Sequence, residues 1–281
     1  MVVTSPRSLS EALAEAADHP DSTPLAGGTD LMVGINFGRE RPERVLALRR
    51  LEELKQLTVD GAVRVGAGVT YTRMLERLRD PAMVQAARTV GSPQIRNAGT
   101  IGGNLGTCSP AGDTLPVLSA LDATVVLAST AGERRVKFRD FMYAPRKRDL
   151  QPGELIVAAE WEEAGPSQVF LKAGTRNAMV IAVANLAMVV DRRRRRVGIG
   201  LGSVGPRIMR PEAAERFAVQ LFEAAGWEST QAPTESARWR FGELVAEAAE
   251  PIDDVRGTLA YRRHIVNLMA RRALERTCRS A

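Results

Sequence analysis

Two short glycine-rich segments hold the residues best suited to chemistry in this 281-residue chain. The first is Gly27-Gly28, followed directly by Thr29-Asp30; the second is Gly99-Thr100-Ile101-Gly102-Gly103-Asn104-Leu105-Gly106. Consecutive glycines let backbone N–H groups approach an anion with no Cβ in the way. A helix beginning directly after such a bend would add free amides and the positive end of its dipole. Arg96 stands close to the second segment as a neutralising charge. A pair of such bends suggests a ligand with two phosphates, such as a dinucleotide. Neither is followed by the Gly-Lys-Ser/Thr of a phosphate-binding P-loop, and neither is a GxGxxG opening a strand–helix–strand unit. Taken singly, each is also compatible with a plain tight turn, the commoner use of paired glycine.

Other chemistries find little support. Cys108 and Cys278 form no CxxC pair, and with only His19 and His264 beside them the chain cannot assemble an iron–sulfur cluster or a structural zinc site from soft ligands. No metal site and no acid–base catalytic residue is expected. Two cysteines make no disulfide scaffold and suit a reducing compartment, so the expected location is the cytoplasm. The net charge of +6 is nearly all arginine, since Lys55, Lys137, Lys147 and Lys172 are the lysines. Aromatic residues are 5% and scattered, so a nucleic-acid surface with interleaved aromatic and basic side chains is not expected. Asp191 and the run Arg192-Arg193-Arg194-Arg195-Arg196 read as a solvated hairpin turn. The longest apolar run, 178–190, falls short of the ~20 residues that cross a membrane.

Around the glycine segments the pattern alternates strands and helices. Ser8 and Glu11 form a capping-box signature for a helix carrying Leu9, Leu13 and Ala16 on one face. Residues 23–26 read as a strand that breaks at Gly27-Gly28, with helical character resuming at Leu31. Asp60-Gly61, between alternating runs, predicts a hairpin. Helices are expected at 71–78, 81–89 and 115–121, and strands at 43–48, 124–127, 168–172 and 197–202. Residues 101–105 are expected as a loop opening a helix. Helices at 211–225, 241–249 and 259–274 are expected near the C-terminus, and Gly165-Pro166-Ser167 is the natural boundary.

The wording of the segments is more specific than their physics. Ala26-Gly27-Gly28-Thr29-Asp30-Leu31, then Thr100-Ile101-Gly102-Gly103-Asn104-Leu105, resembles the FAD-binding medium subunit of the molybdenum hydroxylases, the family of aerobic carbon monoxide dehydrogenase and xanthine dehydrogenase. Pro110-Ala111-Gly112-Asp113, Gly153-Glu154-Leu155-Ile156, Lys172-Ala173-Gly174-Thr175-Arg176 and Tyr261-Arg262-Arg263 continue the match in order across the chain.

The resemblance implies that the two segments clasp the FAD pyrophosphate from two sides, through Pro24, Leu25, Ala26, Gly27, Gly28, Thr29, Asp30 and Leu31 on one and Thr100, Ile101, Gly102, Gly103 and Asn104 on the other. Asp113 would accept from ribityl or ribose hydroxyls, with capping of the helix that follows as its simpler role. Val90 and Ile156 would supply apolar contacts, or plain core packing. Lys172 would stand near the isoalloxazine and stabilise the reduced flavin, and Arg176 would pair with a carboxylate or phosphate. Two stretches depart from the family's usual wording: Met179-Val180-Ile181, where relatives are often more polar, and Asn36-Phe37-Gly38, which replaces a common basic residue.

The implied fold is α+β: a two-lobed FAD-binding domain of the vanillyl-alcohol-oxidase (PCMH) type at 1–165 and a C-terminal α+β domain with a small antiparallel sheet at 168–281. The implied function is electron transfer. A small [2Fe–2S] subunit would feed the flavin, a large molybdopterin-binding subunit would oxidise the substrate, and NAD, a quinone or O₂ would take the electrons. [2Fe–2S] and molybdopterin would sit on partner subunits only, in a dimer of heterotrimers. The alternative is a stand-alone flavoprotein oxidase or reductase on the same scaffold, which should carry acid–base residues of its own.

Overall fold

The computed structural model describes residues 1–280. Its strands are β1 (Val2–Thr4), β2 (Thr23–Leu25), β3 (Arg44–Ala47), β4 (Leu57–Asp60), β5 (Ala62–Gly66), β6 (Thr124–Ser129), β7 (Gly132–Lys137), β8 (Met142–Ala144), β9 (Lys147–Arg148), β10 (Leu155–Glu162), β11 (Gln168–Ala173), β12 (Ala184–Asp191) and β13 (Arg196–Gly202). Its α-helices are α1 (Leu9–Asp18), α2 (Leu31–Asn36), α3 (Tyr71–Arg77), α4 (Pro81–Thr89), α5 (Pro93–Ala98), α6 (Ile101–Thr107), α7 (Thr114–Ala120), α8 (Phe138–Phe141), α9 (Glu212–Ala225), α10 (Glu235–Glu247) and α11 (Leu259–Arg279). The fold is α+β, and the chain divides into two compact units. One comprises Met1–Arg77, Gly91–Cys108 and Ala123–Glu162; the other comprises Leu78–Val90, Ser109–Asp122 and the chain from Glu163 onward.

The first unit carries a parallel sheet in the order β1-β3-β2 and an antiparallel sheet in the order β4-β5-β10-β6-β7. Helix α1 joins them: its Ala12 and Ala16 pack with Leu46 of β3, Val126 and Ala128 of β6, and Leu155 and Val157 of β10. Ser8 caps it, Oγ accepting from the Glu11 N–H at 3.2 Å. Glu11 reaches past the cap to the Arg7 N–H at 2.8 Å, so the capping box does not close on Ser8 itself. The hairpin at Asp60-Gly61 forms as the sequence indicates, with Gly61 at φ +67°.

The second glycine segment differs from expectation. Thr100 is an N-cap, its Oγ1 accepting from the Gly103 N–H at 3.0 Å, and residues 101–107 continue as the helix α6. Glycine inside a helix costs roughly 0.5–1 kcal/mol relative to alanine. Packing explains Gly102: a Cβ there would lie 2.6 Å from the Ala67 carbonyl oxygen.

The second unit is built on the antiparallel sheet β11-β12-β13. One face carries Leu186, Met188, Val190, Ile199 and Leu201 into a core with Phe241 of α10 and Val266, Ala270 and Leu274 of α11. The other face of β13 is a row of glycines against α7. Cβ atoms at Gly198 and Gly200 would fall 2.0 Å from the Ala120 carbonyl oxygen and 2.1 Å from that of Pro116. Alternating Gly with Val, Ile and Leu in β13 thus lets a helix backbone rest directly on one face while the other fills a core.

The arginine run does form the β12–β13 turn, but Arg192 turns inward. Its guanidinium donates to Ser167 Oγ at 2.9 Å and to the carbonyls of Ser229, Thr277 and Cys278 at 3.1, 3.3 and 3.2 Å, and to that of Trp227. Residues 193–195 are exposed. Helix α10 starts at Glu235, earlier than the sequence suggests, where the Thr234 hydroxyl caps the Ala237 N–H at 3.3 Å. Helix α11 runs on to Arg279.

Gly200→Ala places a methyl group where the Pro116 carbonyl now lies. It should cost about 3 kcal/mol, the upper range of overpacking penalties, read as a lowered urea midpoint. An unchanged midpoint would contradict the close α7–β13 contact.

Candidate functional site

In the first unit the two glycine segments meet backbone to backbone. A Cβ on Gly27 would lie 1.8 Å from the Ala98 carbonyl oxygen, so no other residue fits there without moving a main chain. A Cβ on Gly99 would be 3.3 Å from Thr29 Oγ1. Thr107 Oγ1 donates to Asp30 Oδ2 at 3.3 Å, and Arg146 lies 3.9 Å from the same oxygen. Asp30 therefore ties the first bend to the far end of α6.

Gly28 holds φ +72°, the left-handed conformation that costs glycine nothing, and turns the chain from β2 into α2. Among the described residues no group accepts from the backbone amides of Gly27, Gly28, Thr29 or Asp30. Four consecutive N–H donors on a bend are what an anionic diphosphate needs. The residues of this bend fit such a group.

The second segment offers something else. Its amides already have acceptors: Ile101 donates to the Val69 carbonyl at 3.2 Å, Gly102 to that of Ala67 at 3.0 Å, Gly103 to Thr100 Oγ1, and Asn104 to the Thr100 carbonyl at 3.1 Å. The sequence expectation of free amides here is not what the structure has. What remains is a bare surface: a Cβ at Gly103 would meet only Thr100 Oγ1, at 3.3 Å, outside its own helix backbone. Ile156 packs beside α6, its Cδ1 3.9 Å from where a Gly106 Cβ would be. The β10 register shifts between Ile156 and Ala158, a bulge of the kind that re-aims a side chain next to a site. Arg96 is occupied locally, donating to the Gly91 carbonyl at 2.9 Å. Cys108 ends α6 at φ 51°; burial pushes its thiol up to about 11, which makes it unreactive packing.

The second unit holds Val90, Asp113 and Lys172. Val90 is the C-cap of α4 and is half-buried. Asp113 stands at the N-cap position of α7 but makes no cap bond. Its carboxylate is 6% exposed and takes a 2.5 Å ion pair from Lys172 Nζ at Oδ2, with Asn185 Nδ2 at 3.1 Å from Oδ1. Burial pushes the Asp113 carboxyl up, while the Lys172 ammonium, Asn185 and Thr89 act in the opposite sense. Lys172 also donates to the Thr89 carbonyl at 3.2 Å. Arg176 donates to the Met179 carbonyl, not to an acid. Sequence reasoning overlooked Asn185 and Thr89; Asn185 is found only once the strand register opposes it to Lys172.

Residues 1–160 match the family described as FAD binding domain in molybdopterin dehydrogenase, and residues 169–277 match the CO dehydrogenase flavoprotein C-terminal domain. The chain is similar to the nicotinate dehydrogenase FAD-subunit of Eubacterium barkeri, 38% identical over 66% of this chain and 67% of that one. It is also similar to the glyceraldehyde dehydrogenase medium chain of Sulfolobus acidocaldarius, 29% identical over 95% of both. Among solved structures it resembles a chain of reconstituted CO dehydrogenase from Oligotropha carboxidovorans, with TM-score 0.90 and 25% identity over 100% of this chain and 98% of that chain. No helix of the described residues is long and apolar enough to cross a membrane. The chain belongs to the FAD-binding family of the molybdopterin dehydrogenases, an oxidoreductase family, and FAD is its cofactor.

Proposed function

We propose that this chain is the flavin subunit of a molybdenum hydroxylase complex and that its first glycine bend holds the FAD diphosphate. The observation that carries this reading is the row of four backbone amides at 27–30 without an acceptor, on a bend pinned to the second segment at Gly27. FAD, when bound, supplies a two-electron store that can be filled one electron at a time. The chain's own residues bind and orient it. Pro24, Leu25, Ala26 and Leu31 frame the bend, and Asp30 braces it. The Thr100 and Asn104 side chains and the bare surface of α6 at Gly103 line the opposite side, with Ile101 and Gly102 seating that helix. Ile156 and Val90 are proposed for apolar contact, and Asp113 and Lys172 for polar contact to the flavin nucleotide.

The functional domains are proposed as 1–165 for FAD binding and 168–281 for the C-terminal part, in support of which the two family descriptions match 1–160 and 169–277. Electrons reach the flavin from a small [2Fe–2S] subunit, and a large molybdopterin-binding subunit oxidises the organic substrate. The flavin passes them to NAD, a quinone or O₂. Relatives named as a FAD-subunit and a medium chain support a multi-subunit assembly, proposed here as a dimer of heterotrimers in the cytoplasm.

Denaturing the purified full chain should release FAD, identified by mass; a chain that releases no flavin contradicts the reading. A tagged chain should bring down an iron–sulfur protein and a molybdopterin protein together. A chain isolated alone that turns over an organic substrate would instead mark a stand-alone flavoprotein. Gly103→Val should fold, since its side chain meets little of the protein, and should carry less than a tenth of the wild-type flavin. Gly28→Val, strained at φ +72°, should lose flavin too. A full flavin complement in both would overturn the proposed clasp.

A further inference from the structure

We infer that Asn185 is a positioning residue for Asp113: with Lys172 it forms a clamp that gives each carboxylate oxygen its own donor and fixes the plane in which Asp113 is presented to the flavin nucleotide. The inference builds on the proposed contact between Asp113 and the flavin.

The clamp is set by strand register. Lys172 of β11 lies directly opposite Asn185 of β12, which lies opposite Gly202 of β13. These three positions form one row across the sheet, on the face that carries α7. Opposed residues on one sheet face stand ~4.5–5.5 Å apart at Cβ, a spacing that suits two donors reaching one carboxylate. Lys172 Nζ takes Oδ2 at 2.5 Å, and Asn185 Nδ2 takes Oδ1 at 3.1 Å.

No other group provides what Asn185 does. The Thr89 hydroxyl lies 3.0 Å from Oδ2 and also 2.8 Å from the Ala86 carbonyl, and its single proton serves one of them. Oδ1 has Asn185 as its one side-chain donor among the described residues. A carboxylate offers about four acceptor positions, so at least one stays available for a ligand hydroxyl.

Asn185 is 0% exposed, and its Oδ1 has no hydrogen-bond partner. A buried unsatisfied acceptor costs about 1–3 kcal/mol. Reversing the amide would turn that oxygen onto the Asp113 carboxylate, so the amide cannot relieve the cost by flipping. Gly202 accommodates it: a Cβ there would lie 2.2 Å from Asn185 Oδ1. The site bears an orphaned oxygen and a bare glycine, and what it gains is one N–H aimed at Asp113. The loop carrying Asp113 is tied to the same strand end, where the Ser203 N–H donates to the Pro110 carbonyl at 2.9 Å.

The test uses the full chain and the near-isosteric variant Asn185→Leu, which fills the volume and removes the donor. Asn185→Ser, whose hydroxyl is too short to take the place of the amide donor, serves as a second variant, and Leu201→Ala, a truncation in the opposite core, as a stability control. FAD affinity is read by flavin fluorescence on the folded fraction. A hydrogen bond to a charged group contributes roughly 1.5–3 kcal/mol, so Asn185→Leu should raise the FAD dissociation constant about tenfold or more. Leu201→Ala should leave it within about twofold while lowering the melting temperature, because its side chain fills the core on the face of the sheet opposite the clamp. A folded Asn185→Leu chain with wild-type FAD affinity overturns the inference, as does an equal loss of affinity in Leu201→Ala. Should Asn185→Leu not fold, Asn185→Ser decides: an affinity loss of about tenfold supports the clamp, and wild-type affinity in the folded chain overturns it. A crystal structure of flavin-free Asn185→Leu separates this from the flavin reading. A rotated Asp113 carboxylate supports the clamp, and an unmoved one overturns it whatever ligand the wild-type chain binds.

Discussion

Backbone resting on backbone is the constraint from which the rest of the first unit follows. Gly27 sits so close to the Ala98 carbonyl that even one methyl group would collide. That contact joins two segments far apart in the chain. It also forces the chain leaving β2 to turn away through Gly28 in the left-handed region, and the turn leaves the amides of 27–30 facing away from any internal acceptor. The parallel sheet, α1 and the core of Leu46, Val126 and Leu155 exist, in this view, to hold β2 and α6 at that separation. Asp30 adds a polar brace by accepting from Thr107 at the far end of α6.

The second unit solves a related problem in the same way. Glycines at alternate positions of β13 remove one side-chain layer and let α7 settle on the sheet. The loop entering α7 then brings Asp113 over the row Lys172–Asn185–Gly202. Buried ion pairs are poor sources of net stability, because desolvation offsets much of the attraction. The role proposed above for a carboxylate held at both oxygens and 6% exposed is therefore orientation toward a ligand rather than fastening of the fold.

Much of this was legible in the residues. Asp60-Gly61 specified its hairpin, and Pro81 and Thr89 bounded α4 where the sequence put them, because turn and cap chemistry is local. The first glycine bend read correctly as strand, turn, helix. The second did not: its glycines look like loop residues but are helical, and Gly102 is glycine because α6 packs closely on Ala67 there, a partner not visible in sequence. Arg192 was hidden for the same reason. Residues 193–195 of the run are exposed, while its own guanidinium serves carbonyls from α11 and the 227–229 loop. Asp113 and Lys172 came from the family resemblance; Asn185 needed the register, since nothing in its neighbourhood marks one asparagine as facing a lysine thirteen residues earlier.

The most direct measurement of the central claim is a crystal structure of the chain with FAD bound. The account predicts diphosphate oxygens within hydrogen-bonding distance, about 2.7–3.2 Å, of the backbone amides of Gly27, Gly28 and Thr29. A diphosphate bound elsewhere, with those amides facing only solvent, would contradict it.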